Sequence, residues 1–351
     1  MPELTSFTRY GGSFPTTASV AGALAYQGVT AQHTGAPYTE AFLMGIAGGI
    51  AFGSFTFAYE GFDPQANILT RNTFNDYGWD AVVARLGISR DVAHSTTEAG
   101  ARRNLVRSIE EGRPPIVWAD VFTLGYETSE LGDAMWSMQP MIVTAYAEGG
   151  EATICDRARV PIVTTADRLD AARARVKKER HRLETIESPD EPDLRPAVRE
   201  GIADCIRLYT EKPPQGSASN FGFRAYDRWI AALREPESKS GWAKPFAPGR
   251  PFFAGLTTAF RYALLFWKDD SLTADRRLLV ERHTRFLAGG NREIDRLQNV
   301  DARLETLRAA AATELQDGDQ AVEIMAAIAD RLEEIRDAER GAVDALRDAL
   351  G

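Results

Sequence analysis

Apolar, small and polar positions divide this chain into two regions with different periods. In the first, residues 15–26 read Pro-Thr-Thr-Ala-Ser-Val-Ala-Gly-Ala-Leu-Ala-Tyr, which predicts a helix. Ala18, Ala21, Gly22 and Ala25 leave one of its faces nearly bare, so neighbouring elements can press close against it. Thr16 and Thr17 are candidate N-caps for this helix. Thr39 can cap a short second helix over 40–47, with Glu40 favourably placed against its dipole. The Gly48-Gly49 pair can end that helix, after which Phe55, Phe57 and Tyr59 alternate as a strand does. Residues 61–76 read as a long loop. Trp79, Val82, Val83 and Leu86 then share one face of a helix stopped by Gly87, and a further helix covers 98–111. Pro114-Pro115 opens an apolar run, 116–122, that predicts a strand. Residues 141–146 and 152–155 predict a β-hairpin across Glu148-Gly149-Gly150. Thr165 can cap a charged helix over 166–183, whose Lys/Arg run reads as a solvated face.

The second region follows residues 187–196, where prolines and acids cluster as in an inter-domain linker. Beyond it nearly every segment carries a helical period: 197–211, 221–234, 252–267, 273–288, 292–315 and 320–350. Leu297, Val300, Leu304 and Leu307 fall near heptad spacing, as do Ile324, Ile328, Leu332 and Ile335. These repeats are short, and predict an antiparallel helical hairpin rather than a free coiled coil. They also offer a candidate homodimer surface. The pattern therefore gives a first domain over 1–186, a linker over 187–196 and a helical domain over 197–351.

Composition narrows the function classes. With 50 acidic and 41 basic residues among 351, the net charge of −9 argues against a non-specific nucleic-acid binder. Two cysteines, Cys155 and Cys205, make neither a disulfide framework nor a zinc spacing, and their apolar neighbours predict inert core thiols. None of the histidines His33, His94, His181 and His283 pairs with another at ligand spacing, so neither a metal nor another cofactor is expected. Residues 41–59 carry no charge, and Gly45, Gly49 and Gly53 are spaced as in a membrane helix pair. Glu40 and Glu60 flank the stretch with no Lys or Arg to orient it, which favours a buried helix, turn and strand. The amino-terminal residues lack a signal-peptide pattern, so a cytoplasmic location without membrane partners is expected.

Two groups of motifs resemble a known family. The first comprises Pro15-Thr16-Thr17-Ala18 through Tyr26-Gln27-Gly28, then Thr39-Glu40-Ala41-Phe42-Leu43-Met44-Gly45 with Gly48-Gly49. The second comprises Gly112-Arg113-Pro114-Pro115 with Ile116-Val117-Trp118-Ala119-Asp120, the hairpin at 142–146, and Asp156-Arg157. Asn220-Phe221-Gly222 and Phe260-Arg261-Tyr262 add to the likeness in the second half. Together they resemble the family of butirosin biosynthesis protein H. That resemblance implies an α+β fold: a papain-like amino-terminal domain, with a central helix against an antiparallel sheet, followed by an all-α domain. It also implies a cysteine acyltransferase ancestry and a small-molecule metabolite as partner, free or carrier-protein-bound.

The triad that such chemistry needs is broken. By the resemblance, the nucleophilic Cys falls at Phe14, a preceding His at Ser13, and the base His near Gln139 to Met141; the acid is retained as Asp156. Phe14 cannot attack a thioester and Gln139 cannot take a proton near neutral pH. Ser13 and Thr16 are hydroxyls near the same helix end, and with Asp156 they form the candidate catalytic set, set against the plainer reading of Thr16 or Thr17 as a cap. Phe14, Thr17, Gln139 and Trp118 are the candidate substrate-binding residues, with Trp136 and Phe122 as further aromatic walls. Two functions follow: a metabolite-binding protein that performs non-thiol acyl transfer, cyclisation or rearrangement, and an inactive scaffold for an active biosynthetic enzyme.

Overall fold

The structure is a computed structural model that describes residues 2–12, 14–58, 64–71, 77–126, 136–189, 192–211, 219–246 and 318–351. Mixed helices and antiparallel strands make it an α+β protein. The chain divides into two compact units, Met1–Ile46 with Trp79–Ala197, and Ala47–Gly78 with Val198–Gly351.

The first unit is built on a six-stranded antiparallel sheet. Its strands are β3 (Ser89–Ala93), β4 (Ile116–Asp120), β5 (Met138–Tyr146), β6 (Glu151–Cys155), β7 (Ile162–Thr165) and β8 (Leu183–Glu187), in the spatial order β3-β8-β4-β5-β6-β7. Helix α1 (Pro15–Tyr26) lies against β5. The close approach depends on its bare face, since a Cβ added at Gly22 would stand 3.1 Å from Ile142 Cδ1. Ala23, Leu24 and Ile142 are fully buried on the α1 side of the sheet, and Val117 and Val143 are fully buried on its other face. Around them stand α2 (Glu40–Ala47), α3 (Tyr77–Leu86), α4 (Glu98–Glu110), α5 (Val121–Leu124) and α6 (Ala166–Ala174). Thr97 and Thr165 cap α4 and α6 through their hydroxyls, and Thr39 accepts from Phe42 N at 3.2 Å to cap α2.

The second unit has strands β1 (Ile50–Phe57) and β2 (Gln65–Arg71), paired antiparallel, and helices that include most of α7 (Leu194–Thr210), α8 (Gly222–Arg234) and α9 (Gly318–Leu350). Its core joins the hairpin to the helices. Phe52 stacks on Tyr226 with centroids 3.8 Å apart, and Phe55 meets Phe221 edge-on at 5.3 Å. Ile328, Leu332 and Ile335 of α9 are buried in the same cluster.

Several expected elements change. Thr16 and Thr17 lie inside α1 rather than at its cap; Phe14 holds the cap position, because Pro15 fits the first helical turn and needs no N–H partner there. The strand expected over 116–122 stops at Asp120, whose carboxylate accepts from Thr123 N at 3.1 Å and starts α5 instead. The helix expected over 166–183 ends at Ala174. Arg180 and His181, both at φ 49°, turn the chain into β8, a strand between β3 and β4. Strand β2 stands within the expected loop 61–76, and the stretch 41–59 forms α2, a turn at Gly48 (φ 69°) and β1 in its described part. Residues 47–78, expected in the first domain, group with the second unit. The helices expected over 252–267, 273–288 and 292–315, with Leu297, Val300, Leu304 and Leu307, lie outside the described residues. Among the described residues no helix is long and apolar enough to cross a membrane.

Candidate functional site

The N-terminal end of α1 has no capping side chain of its own. A residue from the next helix does this work. Glu40, in the first turn of α2, accepts from Phe14 N at 3.0 Å and from the Thr17 hydroxyl at 3.0 Å, both at the same carboxylate oxygen. A carboxylate is the species that the positive end of a helix attracts, so Glu40 sits where a thiolate or an anionic intermediate would be stabilised. Gly12 makes room for it: a Cβ there would stand 2.4 Å from the Ala18 Cβ and 3.2 Å from Glu40 Oε1.

Alongside α1, from Gly12 and Glu40 near this end to Ala25 and Tyr26 in its last turn, opens a pocket of about 760 Å³, walled also by Arg9, Tyr10 and Arg159. Arg9 is held at the wall by a hydrogen bond from Nη2 to Tyr38 O at 3.1 Å. Gly12 N donates to Arg157 O at 3.2 Å, which ties the pocket's floor to the segment after β6.

Asp156 is buried at 4% exposure. It accepts from the Tyr126 hydroxyl at 3.0 Å and from Arg157 Nε and Nη2 at 3.3 Å each. No imidazole is among its partners in the described residues. The adjacent Cys155 is buried, and its Sγ donates to Arg9 O at 3.3 Å. Burial, reinforced by the charge of Asp156 and opposed by the Gly11 N–H, pushes this thiol up to about 12. At neutral pH it carries essentially no thiolate, so it does not offer a nucleophile. Of the histidines, His33 stacks on Phe42 with centroids 4.7 Å apart, His94 is exposed and His181 lies in the turn before β8; His283 lies outside the described residues.

The remaining candidates separate. Ser13 lies outside the described residues, and Thr16 is half-buried on the first turn of α1. Trp118 is buried under the Arg182 guanidinium, 3.9 Å from its ring centroid. Arg182 pairs with Glu184 at 2.5 Å, and Glu184 accepts from Trp79 Nε1 at 2.6 Å, so Trp118 belongs to a buried ionic and aromatic cluster. Gln139 pairs with Ala119 in the β4–β5 ladder, whereas Ile142, which meets α1, pairs with Ile116. Side chains alternate along a strand, so Gln139 lies on the sheet face away from α1. There its Nε2 donates to Ser137 Oγ at 3.1 Å, and its Oε1 is buried without a hydrogen-bond partner among the described residues. Phe122 is half-buried on α5, and Trp136 is 50% exposed.

The structure therefore brings Phe14 and Thr17 to Glu40, which lines the pocket although neither of them does, and leaves Trp118 and Gln139 elsewhere. Sequence reasoning missed Glu40, Arg9, Arg159 and the Asp156 partner Tyr126. Glu40 carried a signal, an acid opening a helix, but that signal pointed to its own helix. Arg9 and Arg159 sit in irregular segments with no periodic pattern to mark them.

This is an α+β unit with a small-faced helix lodged on an antiparallel sheet. Within it, residues 17–157 match the family model described as butirosin biosynthesis protein H, N-terminal. Over that segment the chain is similar to a family associated with biosynthesis, as its motifs suggested. No curated protein matches the chain.

Proposed function

We propose that this chain binds a small acyl- or amide-bearing metabolite in a papain-like cleft alongside α1. We further propose that it acts on the metabolite without a covalent thioester, by acyl transfer to a bound acceptor, cyclisation or rearrangement. The pocket beside α1 carries this reading. It is large enough for a small metabolite, and its wall combines tyrosine rings, guanidinium groups and a carboxylate already hydrogen-bonded to a hydroxyl. Positioning and fixed charge are the means of acceleration such a site offers. The high Cys155 pKa and the absence of an imidazole beside Asp156 among the described residues support a route that does not pass through sulfur.

Native mass spectrometry of the full chain with acyl-amide ligands and with acyl-thioester donors tests it. A non-covalent complex lost on denaturation is the expected result. A stable acyl adduct that disappears in Ser13→Ala or Thr17→Ala would replace this reading with a hydroxyl nucleophile.

One observation favours the scaffold reading. Glu40 already takes up the Phe14 N–H, one of the donors that a papain-like site offers to a reacting oxygen. Retention of no ligand, together with a stable complex between this chain and a biosynthetic enzyme, would establish that reading instead.

A further inference from the structure

We propose that the ligand of the α1 pocket carries a carboxylate, and that Arg9 and Arg159 receive it. This deepens the metabolite-binding reading and rests on it. The charge balance of the wall leads to it. Arg9 and Arg159 both line the pocket, and Glu40 is the one carboxylate that lines it among the described residues. Glu40 spends its Oε2 on Phe14 N and the Thr17 hydroxyl, which holds it at the helix end. Arg9 uses Nη2 on the carbonyl of Tyr38, a neutral acceptor that fixes the guanidinium without cancelling its charge. Neither Arg9 nor Arg159 has an ion pair among the described residues. By contrast Arg157, next along the same segment, is paired with Asp156 at 3.3 Å.

Two guanidinium groups against one carboxylate leave one positive charge, which suits a ligand with a single negative charge. A carboxylate matches the forked donors of arginine. Glu40 in the same wall opposes a dianion such as phosphate more strongly than a monoanion.

Calorimetric titration of the full chain with N-hexanoylglycine, with its neutral carboxamide and with inorganic phosphate tests the proposal. The carboxylate should bind at least about tenfold more tightly than the carboxamide, as charge-assisted hydrogen bonds of this type imply. Arg159→Gln, at an exposed side chain, and Arg9→Gln should each erase that preference, whereas Arg347→Gln on α9 should keep it. Equal binding of carboxylate and carboxamide, or a preference that survives both substitutions, overturns the carboxylate while leaving the pocket as an acyl-amide site. Phosphate binding as well as the carboxylate, lost on Arg159→Gln, also overturns it. If neither hexanoyl compound binds, the pocket reading falls as well.

Discussion

Glu40 joins two helices with one carboxylate. Its position explains how α1 can begin with Phe14 and Pro15, neither of which offers a capping oxygen. A hydrogen bond to a charged acceptor contributes about 1.5–3 kcal/mol, and a buried donor left unmade costs about as much. Glu40→Ala should therefore lower stability by about 1–3 kcal/mol. Glu40→Gln keeps an acceptor but loses the charge, and should cost less than Ala. Chemical denaturation of both variants checks this ordering; equal midpoints for wild type and Glu40→Ala would show that the cap contributes nothing. The same carboxylate accepts the Thr17 hydroxyl, so any chemistry at Thr17 is linked to the helix cap.

At the scale of elements, the turn between α6 and β8 is where the chain departs most from its pattern. The run Arg173, Arg175, Lys177, Lys178 and Arg180 has the look of an exposed helical face, yet Arg173 is fully buried and the helix ends one residue later. Arg173 donates to the carbonyl of His181 at 3.3 Å, and burial lowers its pKa to about 10 against the opposing charge of Asp170. No periodicity announces such an arginine, because its partner is a backbone carbonyl beyond a left-handed turn. What could be read was local: the α1 bare face, the Gly87 stop, the Thr39 and Thr165 caps, and the hairpin at 141–155 depend on near neighbours. Strands β2, β3 and β8 depend on pairing with distant segments, and β3 shows its outer residues to solvent, so each carries little local signal. The candidate site divides likewise: Thr17 could be named from its place on α1, but its partner Glu40, as the cap of another helix, required the fold.

The same turn makes a pH prediction. His181 is held below its ordinary pKa of 6.5, first by burial and then by the Arg173 charge, with Glu98 and Asp170 opposing. A depressed histidine leaves the folded state with fewer protons than the unfolded state below pH 6.5. Stability should therefore fall as pH drops through the unfolded value, and the loss should level off below the folded value. His181→Asn should remove that part of the pH dependence, seen as a flatter melting-temperature profile than wild type just below pH 6.5. Parallel profiles for the two proteins would show that His181 does not titrate differently on folding.

For the whole molecule, the order of the chain and the order of the cores differ. The second unit takes Ala47–Gly78 from within the span of the first, so neither unit is a continuous stretch of sequence. Its core needs both parts, because Phe52 and Phe55 on β1 pack with Phe221, Tyr226 and Trp229. Ser54 N donates to Asn220 O at 3.0 Å, and Arg228 Nη2 donates to Ser54 O at 2.5 Å, so backbone polar groups are also shared. Fully burying one large apolar side chain stabilises by about 1.5–3 kcal/mol. Losing several such partners is comparable with the whole stability of a domain, about 5–15 kcal/mol. Cutting the chain at residue 197 should therefore damage both products. A fragment of Val198–Gly351 should lack a cooperative thermal transition and a near-ultraviolet aromatic signal, and adding a segment of residues 47–78 through a linker should restore both. A cooperative melt from Val198–Gly351 alone would mean that the helices close their core without β1, and that a cut after residue 197 is a usable boundary after all.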